Sequence, residues 1–414
     1  MERAFLITVK LDFEKRDEDI LERQRELKEL ALTVGAEIVE EELCRRPKIS
    51  PDLYVGEGKA KELADIVEQE EVDVVIFNND LTGTQHKNLE ETLAVKVVDR
   101  TQLILDIFAR HARSPEGKAQ VELAQLEYSL PRLSGKGVEL SRLGGGIGTR
   151  GPGEQKLEVD RRRIRERVLK LKGELKNLSV RRKALRSRRD EASLPAVVFI
   201  GYTSAGKSTL FNVLTGSRQP INPGLFTTLD PLSRVLTLPN KQKVILSDTV
   251  GFIRGLPHRL IEAFKATLEE VIQADLLVHV LDVSSSYAAD HYEAVGRVLE
   301  ELGAHDKKTV LALNKTDILE VPERLVTFEK RYPGAVPISA LKGVNLDGLV
   351  RHIERALSGY SHEIRLFLPL SRMDVLDVIY SQGKVKDISY DNDGIRLTAL
   401  LPALTAEKLK GFAV

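Results

Sequence analysis

Through residue 112 the chain sets short apolar runs between longer mixed stretches. Ala4 to Lys10, Glu37 to Leu43, Val72 to Phe77 and Val95 to Val98 read as strands, and 17–34, Glu57 to Glu70, 84–93 and 101–112 as helices. This alternation predicts a small α/β domain with a parallel sheet over residues 1–112. No phosphate motif lies in it. Val55-Gly56-Glu57-Gly58-Lys59 opens a helix and could hold an anion at its N-terminus, although a plain helix cap is the simpler reading. His86 and His111 are isolated and read as surface or packing residues.

From residue 113 the period changes. Ala119, Leu123, Leu126, Leu130 and Leu133 are spaced four, three, four and three. Leu157, Ile164, Leu171, Leu178 and Leu185 recur every seven residues, with Val168 and Leu175 between them. Two such seams predict an antiparallel helical hairpin over 113–192. Its second helix, 154–190, would be about 55 Å long at 1.5 Å per residue. The connecting loop, 134–153, holds eight glycines, two arginines and a lysine, a composition unsuited to a core. The helix carries fifteen basic and six acidic residues, including Arg181-Arg182-Lys183. A charge run ordinarily marks a solvated face. Here the excess is one-sided and adjoins the glycine-rich loop, which favours RNA binding through Lys136, Arg142, Arg150, Arg161, Arg162 and Arg163. The scarcity of aromatics points to phosphate and shape readout.

Apolar strands return at 195–200, 244–246, 309–313 and 335–338, predicting a domain over 193–360 with a mostly parallel sheet and ligand loops at its carboxyl edge. Strand 364–369, helix 371–380, strands near 385–390 and 394–400 and helix 404–411 predict a small α+β C-terminal domain over 361–414, read as a docking module. Asp391-Asn392-Asp393-Gly394 is a tight turn between its strands, with too few oxygens for calcium. The whole is a multidomain α/β chain.

Composition narrows the class. A chain of 414 residues exceeds one core, so two to four domains are expected. The 62 basic and 62 acidic side chains balance, which hides the local excess at 154–190. No 18-residue apolar run predicts a membrane span, and the first residues lack a signal-peptide layout. One cysteine, Cys44, excludes an internal disulfide and suits a reducing cytoplasm; it reads as an ordinary strand residue. Thirty per cent charged residues, no Trp and two Met fit a heat-adapted source.

Four motifs carry the chemistry. Gly201-Tyr202-Thr203-Ser204-Ala205-Gly206-Lys207-Ser208, followed by Thr209, lies between a strand and a helix and reads as a P-loop, its N–H groups facing phosphates. Lys207 would reach the β- and γ-phosphates and Ser208 would ligate Mg²⁺. Asp248-Thr249-Val250-Gly251 follows the second strand: Asp248 would hold Mg²⁺ through water, and the Gly251 N–H would sense the γ-phosphate. Thr228 is the preferred switch threonine for Mg²⁺, with Thr227 as alternative; Pro223 and Gly224 before it suit a mobile loop. In Asn314-Lys315-Thr316-Asp317, the Asp317 carboxylate would accept the N1–H and N2–H₂ edge of guanine, Asn314 would brace the loop and the Lys315 stem would stack on the base. The Ala340 N–H, after Ser339, would meet O6. These residues predict GTP binding and hydrolysis, with Lys207, Thr228 and Gly251 closest to the chemistry. The position after Gly251, where Ras-like enzymes carry a water-orienting glutamine, is Phe252. Intrinsic hydrolysis should therefore be slow, with help from a partner, a cation or a displaced side chain. Arg254 and His258 are candidates, though both read first as exposed switch residues.

Gly-Tyr-Thr in the P-loop, Asp-Thr-Val-Gly-Phe in the second motif, Arg46-Pro47 to Lys59, and Gly148-Thr149-Arg150-Gly151-Pro152-Gly153-Glu154 resemble the HflX family of ribosome-associated GTPases over roughly residues 1 to 360. The resemblance implies a cytoplasmic GTPase that binds the large ribosomal subunit and rRNA and splits or rescues ribosomes under stress. Some members are also reported to use ATP through the N-terminal domain. It further implies a K⁺ ion coordinated by a P-loop Asn; this chain has Ser204 there, offering one oxygen. A monomer is expected. Two other readings are an NTP-driven RNA remodeller with a separate N-terminal ATPase and a nucleotide-stabilised, non-catalytic adaptor.

Overall fold

A computed structural model describes residues 1–13, 17–135, 152–191, 194–217, 224–226, 228, 230–255, 265–391 and 393–414. These fall into two compact units, one built on residues 1–178 and taking in the stretch around Leu225 and Phe226, the other on the remaining residues from 179 onward.

The first unit opens with β1 (Arg3–Leu11), α1 (Asp17–Thr33), β2 (Glu37–Arg46), α2 (Glu57–Gln69), β3 (Val74–Phe77), α3 (Gly83–Leu93), β4 (Lys96–Asp99) and α4 (Arg100–His111). The strands form a parallel sheet in the order β2-β1-β3-β4. A parallel sheet is covered on both faces, and β1 and β3 are correspondingly buried almost throughout. Phe5, Ile7, Leu63, Phe77 and Leu89 fill one side of the core.

The hairpin follows as α5 (Pro115–Ser129) and α6 (Pro152–Glu191). Ala119, Leu123 and Leu171 are buried between the helices, with Leu126, Val168 and Leu175 against them. The predicted seam overruns the first helix. Pro131 lacks the N–H that the helical ladder needs, and α5 gives way to a 3₁₀ stretch at Leu130–Gly135, taking Leu130 and Leu133 out of the α-helical heptad. Instead the Tyr128 hydroxyl donates to Asp99, and the Arg132 guanidinium lies 3.5 Å over the Tyr128 ring and 3.1 Å from Asp99. Not all of the basic excess on α6 faces solvent alone: Arg167 holds Glu122 of α5 in a two-bond fork at 2.6 and 2.7 Å, and Lys172 pairs with Glu127 at 2.8 Å. Lys136, Arg142 and Arg150 of the glycine-rich loop lie outside the described residues.

The second unit contains β5 (Ala196–Ile200), α7 (Lys207–Thr215), β6 (Leu232–Thr237), β7 (Lys243–Asp248), α8 (Lys265–Gln273), β8 (Leu276–Asp282), α9 (Ala288–Glu301), β9 (Thr309–Asn314), α10 (Pro322–Arg331), β10 (Val336–Pro337) and α11 (Leu346–Ala356). Its sheet runs β10-β9-β8-β5-β7-β6, parallel except for β6 against β7. β6 is half-buried and did not stand out as an apolar run. Beyond it, β11 (Ser361–Pro369), α12 (Asp374–Gln382), β12 (Lys384–Asp391), β13 (Gly394–Pro402) and α13 (Ala403–Lys408) form an antiparallel sheet, β11-β13-β12, with its own apolar core. Among the described residues no helix is long and apolar enough to cross a membrane.

Candidate functional site

The loops after β5, β7, β9 and β10 meet at the carboxyl edge of the six-stranded sheet. Residues 201–206 join β5 to α7, which starts at Gly206 with φ +96° and no side-chain cap. A Cβ at Gly206 would stand 2.3 Å from Asn314 Nδ2. Only glycine allows that approach, and the first N–H groups of α7 are left without an acceptor from a capping side chain. Asn314 is buried. Its Nδ2 donates to the Ala205 carbonyl at 2.8 Å and its Oδ1 accepts the Ala340 N–H at 2.9 Å, so one amide joins three loops. The Ala340 N–H, expected at guanine O6, is thus already engaged.

Lys207 Nζ donates to the Gly201 and Tyr202 carbonyls at 3.1 and 2.7 Å. Burial pushes its ammonium down to about 8, against the opposing pull of Asp248. Ser208 Oγ donates to Asp248 Oδ2 at 2.6 Å. That pair brings a hydroxyl and a carboxylate together beside the phosphate loop, the hard-oxygen donors that suit Mg²⁺. Thr209 is half-buried in the first turn of α7, and Ser204 is exposed at φ +56°.

The segment after Asp248 is laced to the phosphate loop. A Cβ at Gly251 would lie 2.8 Å from Thr203 Cα and 3.0 Å from Lys207 Nζ. Thr203 N–H donates to the Phe252 carbonyl at 2.7 Å and Phe252 N–H to the Gly201 carbonyl at 3.0 Å. The Phe252 side chain is 1% exposed, a core residue rather than a blunt stand-in at the phosphates. Leu225 and Phe226 are buried, Gly224 is exposed, and Pro223 lies outside the described residues. Leu225 N–H donates to Thr33 Oγ1 at 3.1 Å, and Phe226 meets Phe108 edge-on at 4.8 Å. Thr228 is half-buried two residues on; Thr227 and His258 lie outside the described residues.

Asp317 is exposed in a 3₁₀ turn, Thr316–Ile318. Lys315, at φ +66°, pairs with Asp282 at 2.7 Å. Ser339 is buried and its Oγ accepts the Lys342 N–H at 3.1 Å. Arg161, Arg162 and Arg163 lie on α6; Arg162 is 3.6 Å from Glu166 and Arg163 3.8 Å from Asp160.

Three neighbours escaped the motif reading. Asp282, which also accepts two bonds from Ser284, stands at the end of a predictable strand and could have been suspected. His291 stacks on Tyr202 at 3.9 Å and 14°, and His279 stacks on Tyr292 at 5.0 Å; nothing in their spacing pairs them. Burial, with the Lys207 charge adding to it, pushes His279 down to about 3.

Four family models match in order: the GTP-binding GTPase N-terminal region at 22–109, its middle region at 111–189, the 50S ribosome-binding GTPase at 196–315 and the HflX C-terminal domain at 325–411. GTPase HflX of Caldanaerobacter subterraneus subsp. tengcongensis is 47% identical over 413 residues, covering 100% of this chain and 94% of that protein. GTPase HflX of Escherichia coli strain K12 is 40% identical over 410 residues, covering 99% and 95%. A crystal structure of a GTP-binding protein from the hyperthermophilic archaeon Sulfolobus solfataricus in complex with GDP aligns over 87% of this chain and 99% of that one, at 26% identity and a TM-score of 0.45.

Proposed function

The chain belongs to the HflX family of GTPases and hydrolyses GTP, and on that premise we propose that it is a switch acting on the large ribosomal subunit, where hydrolysis serves the splitting or rescue of ribosomes under stress. The observation that carries the partner is the match of residues 196–315 to the 50S ribosome-binding model. The half-buried Arg161 and the exposed Arg162 and Arg163 on α6 would supply phosphate contacts of the kind rRNA offers. We assign the protein to the cytoplasm as a monomer.

The site residues divide the work. The N–H groups of Ser204 and of residues 206–209, together with the Lys207 ammonium, cradle the phosphates, while the Thr203 N–H is held by Phe252. Ser208 and Asp248 (through water) would hold Mg²⁺, which would offset the charge of the phosphates, and Thr228 is the proposed switch threonine. Gly251, pressed against Thr203, offers its N–H to the γ-phosphate. Asp317 reads the guanine edge, the Lys315 stem covers the base, and the Ala340 N–H can serve O6 only by sharing its bond to Asn314. Ser204 offers one oxygen to K⁺. With Phe252 in the core, no side chain at that position orients water, so turnover is slow until a partner assists.

The test is GTP turnover with and without purified large subunits, in potassium and in sodium salts. Stimulation by subunits is expected. No stimulation would overturn the ribosomal reading, and stimulation by potassium alone would place the missing charge at Ser204. ATP hydrolysis that survives Lys207→Ala would favour a separate N-terminal ATPase in an RNA remodeller. No turnover under any condition would favour an adaptor.

A further inference from the structure

The Tyr202 side chain does something that its place in the phosphate loop does not require. P-loops bind phosphates through main-chain N–H groups, yet this side chain is 5% exposed and points its chemistry at the protein. Its ring lies flat against His291 of α9, centroids 3.9 Å apart and planes 14° from parallel. Its hydroxyl accepts the Arg254 N–H at 2.8 Å. Its carbonyl accepts Lys207 Nζ at 2.7 Å. One residue therefore touches the phosphate lysine, a helix on the flank of the sheet, and the chain just past Gly251.

Residues 252–254 are held to residues 201–203 by bonds from Phe252 N–H to Gly201, Thr203 N–H to Phe252, and Arg254 N–H to the Tyr202 hydroxyl. The first two are main-chain bonds, present whatever the side chains. The third depends on the tyrosine. Phe252 and Ile253 are each 1% exposed. Arg254 is half-buried and Gly255 is exposed with φ +63°. Residue 254 is thus where the segment leaves the core, and the hydroxyl fixes its point of departure.

We propose that Tyr202 is a positioning residue for GTP hydrolysis. With its ring clamped by His291, it anchors the backbone at Arg254 and so holds the Gly251–Arg254 segment at a set distance from the phosphate loop. Reaction geometry tolerates little slack: a displacement of about 1 Å can cost on the order of 100-fold in rate. The role matters more in a chain with a phenylalanine after Gly251. No water-orienting side chain at 252 can correct a loose segment, so the alignment rests on the main chain. The inference depends on the GTPase reaction and not on the ribosomal partner. Its test uses intrinsic turnover, so it stands or falls separately from the ribosomal reading.

The experiment compares Tyr202→Phe, His291→Ala and the double variant in the full-length protein. Tyr202→Phe keeps the ring and the loop's N–H groups and removes the hydroxyl that accepts the Arg254 N–H. Single-turnover GTP hydrolysis should fall about tenfold, the effect of a single lost interaction in the transition state. GDP affinity should stay within about twofold, because GDP has no γ-phosphate for the Gly251 segment to meet. His291→Ala should show a similar loss by freeing the ring, His291→Phe should restore the rate by restoring a stack, and the double variant should be no slower than Tyr202→Phe. Unchanged hydrolysis in Tyr202→Phe would overturn the proposal. So would equal losses in hydrolysis and GDP affinity, which mark a merely structural role, and so would fully additive effects of the two substitutions.

Discussion

Two α/β sheets of this protein present helix N-termini at their carboxyl edges, and α3 and α4 of one differ from α7 of the other in how those termini are closed. In the four-stranded sheet, α3 is closed by a capping box: Thr82 Oγ1 accepts the Gln85 N–H at 3.2 Å, and Gln85 Oε1 accepts the Thr82 N–H at 2.9 Å. α4 is closed by Asp99, which accepts the Gln102 N–H at 2.9 Å. In the six-stranded sheet, α7 opens at Gly206 with no side-chain acceptor. A parallel α/β sheet supplies oriented N–H groups in either case. At α3 and α4 the chain caps them itself, and at α7 it leaves them open. α2 also opens on an uncapped glycine, Gly56, but a Cβ there would meet the Arg46 guanidinium at 2.7 Å.

Breaking the end of the uncapped edge proposed to read the base should have the largest effect. Asp317→Asn should move preference from GTP toward xanthosine triphosphate by on the order of 10⁴-fold, since a site built on paired hydrogen bonds strongly rejects a mismatched edge. Competition between the two nucleotides measures it. Unchanged preference would remove Asp317 from base recognition. Next comes Phe252→Gln. Grafting a glutamine where Ras-like enzymes carry one should not speed hydrolysis, because the position is a core site. It should destabilise the domain by about 3 kcal/mol, from lost burial and an amide in an apolar setting. Thermal unfolding of that domain and single-turnover hydrolysis check both halves; faster hydrolysis would contradict the packing described for Phe252.

The sequence disclosed most of this contrast, with instructive gaps. Both α/β alternations were legible because buried strands read as continuous apolar runs, and the phosphate loop was legible because its glycines have a backbone reason to be there. The hairpin seam was legible at Leu123 and Leu171 but overran at Leu130, since a heptad count ignores Pro131 until the helix is drawn. Phe252 could be read as lacking a polar group, not as a core residue. The burial of Leu225 and Phe226 had no local signal, because their partners Thr33 and Phe108 are remote in sequence. Tyr202 and His291 escaped for the same reason: ring stacking follows no spacing rule.

Lys207 sharpens the contrast through pH. Burial holds its ammonium down to about 8, and a bound polyphosphate should raise it. Binding then takes up a proton above pH 8, and affinity should weaken by up to tenfold per pH unit from there toward the bound-state value. For folding the sign is opposite. The unfolded lysine titrates near its model value of 10.5 and binds more protons between those limits, so the nucleotide-free fold should gain stability as pH rises through that window. GDP titrations from pH 7 to 9.5 in buffers of different ionisation enthalpy would show the proton uptake. Its absence would mean Lys207 is already fully charged in the nucleotide-free site.

The smallest effect belongs to the capped edge. Thr82→Ala removes the acceptor of the Gln85 N–H and half of the reciprocal box, a loss of about 1 kcal/mol. Because the chain has more than one cooperative unit, a single melting temperature is a poor gauge. Amide hydrogen exchange across α3 reads the change directly: protection of residues 83–93 should fall by about fivefold, the exchange equivalent of that free energy. GTP turnover should not change. If turnover fell with the cap intact elsewhere, the N-terminal sheet would be part of the nucleotide chemistry. Its helix caps could then no longer be treated as the stability-serving counterpart of the open N-terminus at Gly206.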